Sequence, residues 1–446
     1  MRKIAVLLSI LVLTFGAVAS FAAEKEVRIL KSTTKGQPVQ PGSIKYLGPD
    51  HYSLASYKAQ NHLSTATNQL IKTTALKAPA FHNGTALNTV PYFQSWFITG
   101  TRNSVYPYSM VGQSPPAGGT TALNNQMIPL VTVLREGGVP LYTFDPTLAK
   151  DPQGSDISLT TLSPLYDATT TYPGPPADTG QEVDTAFRAS FNKVRAANWH
   201  TPLNHPSSSG VVWVQQLEYN SGDWACVAGE APPCTSFPVV NINTISNNFG
   251  LILAAENPPN STVPIIETDY VTAFIPNGGG CCVLGYHNAQ PGTNPPGANS
   301  VLVWTWATFI PHSNNPFAPF GDDVMVLSHE LAELYFDPFV ATTGTLVSPW
   351  VDGSVSFAQA NLEVGDVIEA MKSADVVYPV PLTPNGQAYT IQNTAQLDWF
   401  TRNPLNGGLY SWPNEHTLSQ CAHVLSSTPN WCYGEGSGGF YFGPPY

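Results

Sequence analysis

The hydrophobic pattern of the chain changes period several times, and each change marks an element. Runs rich in aromatic and β-branched residues at 89–99, 126–135 (QMIPLVTVLR), 211–217 (VVWVQQL), 263–266 (VPII), 271–275 and 301–310 (VLVWTWATFI) have the composition of strands. Helical spacing takes over in three stretches. Within 180–191, Val183, Phe187 and Phe191 recur on one side, which reads as a packing helix, and 242–256 reads as a mostly apolar helix or strand-helix. The third stretch is 322–338 (DDVMVLSHELAELYFDP). At about 100° per residue from His329, Glu333 falls at about 40°, Asp337 at about 80° and Glu330 at about 100°, while Val324, Leu327, Leu331 and Leu334 gather on the opposite side. Asp322 or Asp323 is placed to cap the start, and Pro338 ends the helix because the residue before a proline avoids the helical conformation.

Between these elements the chain is rich in loop signals. Pro and Gly crowd 114–119, 278–280 and 311–321, Trp350-Val351-Asp352-Gly353 reads as a turn, and 388–399 as mixed strand and loop. Asn361-Leu362-Glu363-Val364-Gly365-Asp366 reads as a tight Gly-containing segment that offers two more carboxylates. His200 and His205 fall in a Pro-rich turn and read as surface polar residues. Strands preceding a helix of this kind predict an α+β or α/β fold, zincin-like, with a mixed β-sheet packed against the metal-motif helix and many long loops. The organisation expected is a signal peptide at 1–22, an N-terminal segment at 23–85 that is open to being a pro-segment and carries a short helix near 55–75, a metallohydrolase-like domain at 86–400, and a loop-rich C-terminal extension at 401–446.

The leader changes the picture most. Met1-Arg2-Lys3, an apolar run from Ile4 to Ala19 and the small residues of Ser20-Phe21-Ala22-Ala23 form a secretory signal peptide cut after Ala22. No later stretch reaches the ~20 apolar residues of a membrane helix, so the expected product is secreted, extracellular or periplasmic, without stable membrane insertion. The net charge of -12 argues against nucleic acid as a partner. Only 11% of residues are charged, against an average of about 25%, so the surface is expected to be neutral and rich in loops. The 6 cysteines suit an oxidising compartment: Cys226–Cys234 and Cys421–Cys432 would each close a short loop, leaving adjacent Cys281 and Cys282, and the connectivity stays open. Asn83 and Asn260 begin sequons that matter only in a host that glycosylates its exports.

His329-Glu330-Leu331-Ala332-Glu333 carries the chemistry. It is similar to the His-Glu-x-x-His of zinc hydrolases, in which positions i and i+4 ligate the metal and the intervening Glu is the general base. Glutamate in place of the second histidine is a harder zinc ligand and leaves a calcium-type oxygen site open. The bland alternative is a solvated helix face.

Further segments bear on that choice. Val90-Pro91-Tyr92-Phe93, Tyr106-Pro107-Tyr108 with Met110-Val111-Gly112, Gln181 with Asp184-Thr185-Ala186, Cys281 to His287, Leu327 to Glu330 with Glu333 and Asp337-Pro338-Phe339, and Leu362 to Asp366 together span about 88–400. In this order they resemble a family of secreted bacterial and fungal metallopeptidase-like proteins, and the His-Glu-x-x-Glu core is similar to that of the plant phosphate-induced, Exordium-like proteins. The resemblance implies Glu363, in preference to Asp337, as a third ligand, and singles out His287 as a fourth ligand or a transition-state donor. The implied zinc site therefore has His329, Glu333, Glu363 and His287 as ligands and Glu330 as base for a metal-activated water. Asp366 and Asp337 would orient the ligands.

Two functions compete. One is a secreted zinc-dependent hydrolase, a metallopeptidase acting on peptide or cell-wall substrate. The other is a non-catalytic extracellular or cell-wall-associated binding protein, whose cluster is a structural metal or hydrogen-bonded carboxylate site. The 10 Trp and 19 Tyr suit glycan contact as well as peptide contact. A serine hydrolase is disfavoured by the lack of a Gly-x-Ser-x-Gly elbow.

Overall fold

The computed structural model describes residues 26–31, 82–85, 87–99, 104–151, 154–173, 177–227, 229–276, 280–312, 315–318, 320–340, 346–352, 359–369, 377–380, 383, 386–401, 410–414, 423–424, 432–433 and 440–442. The expected signal peptide, the short helix near 55–75 and the Cys421–Cys432 pairing lie outside the described residues. In chain order the elements that matter are β1 (Glu26–Lys31), β2 (Tyr92–Thr99), β3 (Ser104–Val111), β4 (Asn124–Glu136), β5 (Val139–Phe144), α1 (Glu182–Ser190), β6 (Val211–Glu218), α2 (Ile242–Glu256), β7 (Thr262–Asp269), β8 (Gly285–Thr293), β9 (Pro296–Phe309), α3 (Met325–Phe336), α4 (Val364–Glu369) and β10 (Tyr389–Gln392).

The central sheet is mixed, in the order β1-β6-β4-β7-β9-β8. Every neighbouring pair in it is parallel except β8 with β9, and β5 adds an antiparallel partner to the far end of β4. Parallel strands flanked by helices are buried on both faces, which is why these strands read as near-continuous apolar runs. Side chains alternate between the faces. Ile128, Leu130, Ile266, Trp304 and Trp306 face one core with Phe249 and Ile252 of α2. Met127, Ile265, Val303 and Ala307 face the other, with Phe187 of α1 and Leu331 and Tyr335 of α3. The result is α+β, a mixed sheet between two helical layers.

The sequence expectations fare unevenly. The strands at 126–135, 211–217, 263–266 and 301–310 and the helix at 242–256 form, and Asn241 caps that helix by accepting from the Asn243 N–H at 3.0 Å. Trp350 to Asp352 lies in a strand, Leu346–Asp352, rather than a turn. Glu363 is followed by a helix, α4, rather than a tight turn. The segment 23–85 contributes β1 to the edge of the central sheet. Two disulfides occur among the described residues, Cys226–Cys234 and the adjacent pair Cys281–Cys282. Asn260 is buried and donates to the Pro295 carbonyl at 2.8 Å, so the folded chain withholds that sequon. Among the described residues, no helix is long and apolar enough to cross a membrane.

Candidate metal centre

The motif helix forms as expected but does not show its polar side to water. All of α3, from Met325 to Phe336, is buried, so the solvated-face alternative fails. The reason is tertiary. β8 covers Glu330 and Glu333 through His287, α4 and β10 close over His329 and Glu333, and α1 packs on Tyr335 and Phe336. Capping also differs from expectation: Val324 starts the helix without a side-chain cap, and Asp323 accepts instead from the Thr390 N–H.

Strand parity places the second imidazole. Tyr286 of β8 points into the α2-side core, so its neighbour His287 points to α3. Gly285 allows the close approach, since a Cβ there would stand 2.7 Å from Val326 Cγ1 and 3.0 Å from Glu330 Cγ. His287 Nδ1 then lies 3.5 Å from Glu330 Oε2 and 3.5 Å from Glu333 Oε2. On the other side, His329 Nε2 lies 3.2 Å from Glu333 Oε1 and 3.9 Å from Glu330 Oε1. Glu363 Oε2 is 4.0 Å from His287 Nε2, and Asp366 Oδ1 is 3.6 Å from His329 Nε2.

Both imidazoles have their remaining nitrogen committed. His287 Nε2 meets the Asp337 carbonyl at 3.2 Å, and a carbonyl can only accept, so Nε2 carries the proton. His329 Nδ1 meets Gln392 Oε1 at 2.9 Å, and Gln392 is oriented by its own Nε2 donating to the Gly365 carbonyl at 2.8 Å. In the neutral tautomers, therefore, lone pairs face the carboxylates, the arrangement of metal-ligating histidines whose other nitrogen is anchored. Glu333 Oε1 is fixed by the Gly365 and Asp366 N–H groups at 3.2 and 3.1 Å. Among the described residues, no donor or acceptor meets either oxygen of Glu330, Glu333 Oε2 or His287 Nδ1 with full hydrogen-bond geometry.

The electrostatics follow from burial. His287, His329, Glu330, Glu333 and Glu363 are all at most 1% exposed. Burial would discharge His287, yet Glu330 and Glu333 outweigh it and lift its pKa to about 10. Burial is likewise overcome at His329, where Glu333 raises the pKa well above its usual value. Burial also opposes ionisation of Glu333, but the two imidazoles win and hold its carboxyl below the ordinary range. At Glu330 burial prevails over both histidines and the pKa rises. Glu363 is raised further, by burial and then by the charges of Glu333 and Asp366.

Of the residues singled out in the sequence, His287, Glu333 and Glu363 form one group, each with a donor atom within 4.8 Å of the others, and His329, Glu330 and Glu333 form another. The two groups share Glu333. Asp366 borders the His329 side, and Asp337 serves through its carbonyl and, by the same backbone, closes α3 with its N–H on the Glu333 carbonyl at 2.7 Å. Sequence reasoning missed Gln392 and Glu369, whose Oε2 is 3.8 Å from His329 Nδ1. Nothing in the spacing of either residue marks it, since each meets His329 only through folding. His200 lies apart, paired with Asp184 at 3.0 Å.

No protein-family model, no characterised protein and no solved structure matches the chain. The chemistry of the donors is then the guide. Donor atoms 2.0–2.2 Å from one tetrahedral ion stand roughly 3.3–3.6 Å apart. His329 with Glu333, and His287 with Glu330 and Glu333, stand at 3.2, 3.5 and 3.5 Å. These residues fit a divalent cation.

Proposed function

We propose that the protein is an exported, zinc-dependent hydrolase of zincin-like type that acts on peptide or cell-wall material. The observation that carries this reading is Glu333, fixed on α3 with one oxygen toward His329 and the other toward His287. Isolated buried carboxylates cost several kcal/mol, and an ion held by these groups offsets that cost. Glu333 would hold the ion together with His287 and Glu363, with His329 facing its other oxygen; nitrogen in the donor set favours zinc over calcium, which prefers oxygen alone. When bound, the ion would supply Lewis acidity at the scissile carbonyl and at the attacking water.

Glu330 would take the proton of that water and pass it to the leaving group. Its two oxygens face both imidazoles and, among the described residues, accept from no backbone N–H, so the carboxylate is at hand. Asp366, 11% exposed, is the member of the cluster nearest solvent and marks the side from which substrate would enter. The mixed sheet with the motif helix packed against it supports the zincin-like arrangement, and the disulfides suit the exported state.

Complete burial of the five central residues favours a second reading, an extracellular or cell-wall-associated binding protein in which the metal is structural. Metal analysis of the purified protein together with turnover of a peptide mixture separates the two. The hydrolase requires a bound transition metal and a loss of about 10²–10⁴ in rate in Glu330→Gln. Bound calcium alone, or turnover unchanged in Glu330→Gln, rejects it.

A further inference from the structure

The two histidines do not converge on one point from the same side of Glu333. His329 Nε2 faces Oε1 at 3.2 Å, whereas His287 Nδ1 faces Oε2 at 3.5 Å. A carboxylate that presents different oxygens to two anchored imidazoles is placed as a bridge. Each imidazole also has a carboxylate of its own: Glu363 belongs to the group with His287 and Glu333, and Asp366 Oδ1 lies 3.6 Å from His329 Nε2.

We propose that the centre takes two divalent cations bridged by Glu333, one on His287 and Glu363 and the other on His329 and Asp366. The inference rests on the metal-site reading above and deepens it. Each ion would have one nitrogen and two oxygens from the chain, a set that leaves room for a shared water. Carboxylate-bridged pairs of this kind, about 3.5–4 Å apart, clamp both the attacking and the leaving oxygen of a displacement.

Glu330 straddles the same gap, with Oε2 3.5 Å from His287 Nδ1 and Oε1 3.9 Å from His329 Nε2. What separates the two glutamates is anchoring. Glu333 Oε1 accepts from the Gly365 and Asp366 N–H groups and is held in place, while Glu330, among the described residues, accepts from no backbone N–H. The anchored carboxylate suits a bridge, and the unanchored one suits a base beside both ions.

The test is metal stoichiometry of the purified, disulfide-intact chain after loading with Zn²⁺ alone and dialysis, read by elemental analysis and native mass spectrometry. Two ions per chain are expected in the wild type and in Glu330→Gln, and one in Glu363→Gln. Loading with Mn²⁺ gives a readout that needs no variant: an exchange-coupled pair in the electron paramagnetic resonance spectrum is expected. One ion per chain, with the spectrum of isolated Mn²⁺, overturns the second cation and leaves the single-metal reading standing. No bound ion overturns both.

Discussion

Gln392 fixes the proton on His329. Its Oε1 lies 2.9 Å from Nδ1, and its Nε2 donates to the Gly365 carbonyl at 2.8 Å, so the amide cannot turn over without losing both contacts. The Gln392 N–H in turn donates to Ser328 Oγ at 3.1 Å, which ties β10 to α3. Partners of ligating histidines hold ring and tautomer, and their removal costs about 10–100-fold in metal affinity. Gln392→Leu is therefore expected to weaken Zn²⁺ binding by that factor in a chelator-competition titration, while circular dichroism stays that of the wild type. Unchanged affinity would mean that the amide does not orient a ligand.

Gln392 also shows where sequence reading stops. His329, Glu330 and Glu333 were legible because one helix brings them together at i, i+1 and i+4, a relation fixed by local geometry. Their burial was not legible, since the cover comes from β8, α4 and β10, which are distant along the chain. The strands were readable because burial on both faces leaves an apolar run, but their order depends on long-range pairing that no local pattern encodes. The resemblance drew attention to His287 and Glu363, and strand parity and the approach of α4 are the physical reasons they reach α3. Gln392 and Glu369 had neither kind of signal.

Gly365 lies where α4 meets the His329 ring, and a Cβ there would stand 2.4 Å from Nδ1. In an open helix, alanine would gain about 0.5–1 kcal/mol over glycine. Overpacking a full interior costs about 1–3 kcal/mol, so the clash decides the sign. Gly365→Ala is expected to lower the unfolding free energy and displace His329 from its place opposite Glu333. Urea unfolding and Zn²⁺ content measure the two effects, and a stabilised, fully loaded variant would contradict the packing described.

Arg188 holds α1 against the site. It is 1% exposed and reaches Asp178 at 2.8 Å and Asp184 at 3.1 Å, while Asp184 also accepts from the Thr201 N–H at 2.6 Å. Phe187 on the same helix packs edge-on against Tyr335 and Phe336 of α3. Removing one partner of a buried ion pair leaves the other charge uncompensated, at about 3–5 kcal/mol. Arg188→Met should show a loss of that size in chemical denaturation. A loss under about 1 kcal/mol, the worth of a surface pair, would show that the network is solvated.

Glu182 gives the fold a dependence on pH separate from the metal ligands. It is fully buried beneath α3, and burial raises its pKa to about 8, only partly opposed by a hydrogen bond from the Ser328 hydroxyl. Burial first, and then nearby carboxylates that include Glu182, raise the Tyr172 and Tyr335 phenols. Below the unfolded carboxyl pKa, about 4.3, both states hold the proton and Glu182 costs nothing. As pH rises from there toward 8, the unfolded chain releases the proton and the folded one keeps it, so stability falls; above 8 the loss is complete. The whole loss is on the order of a few kcal/mol. Glu182→Gln keeps the shape and abolishes the titration, so it should be more stable than the wild type at pH 8 and converge with it near pH 4. Thermal unfolding of both chains across that range measures the difference, and parallel curves would show that Glu182 is ionised in the folded protein.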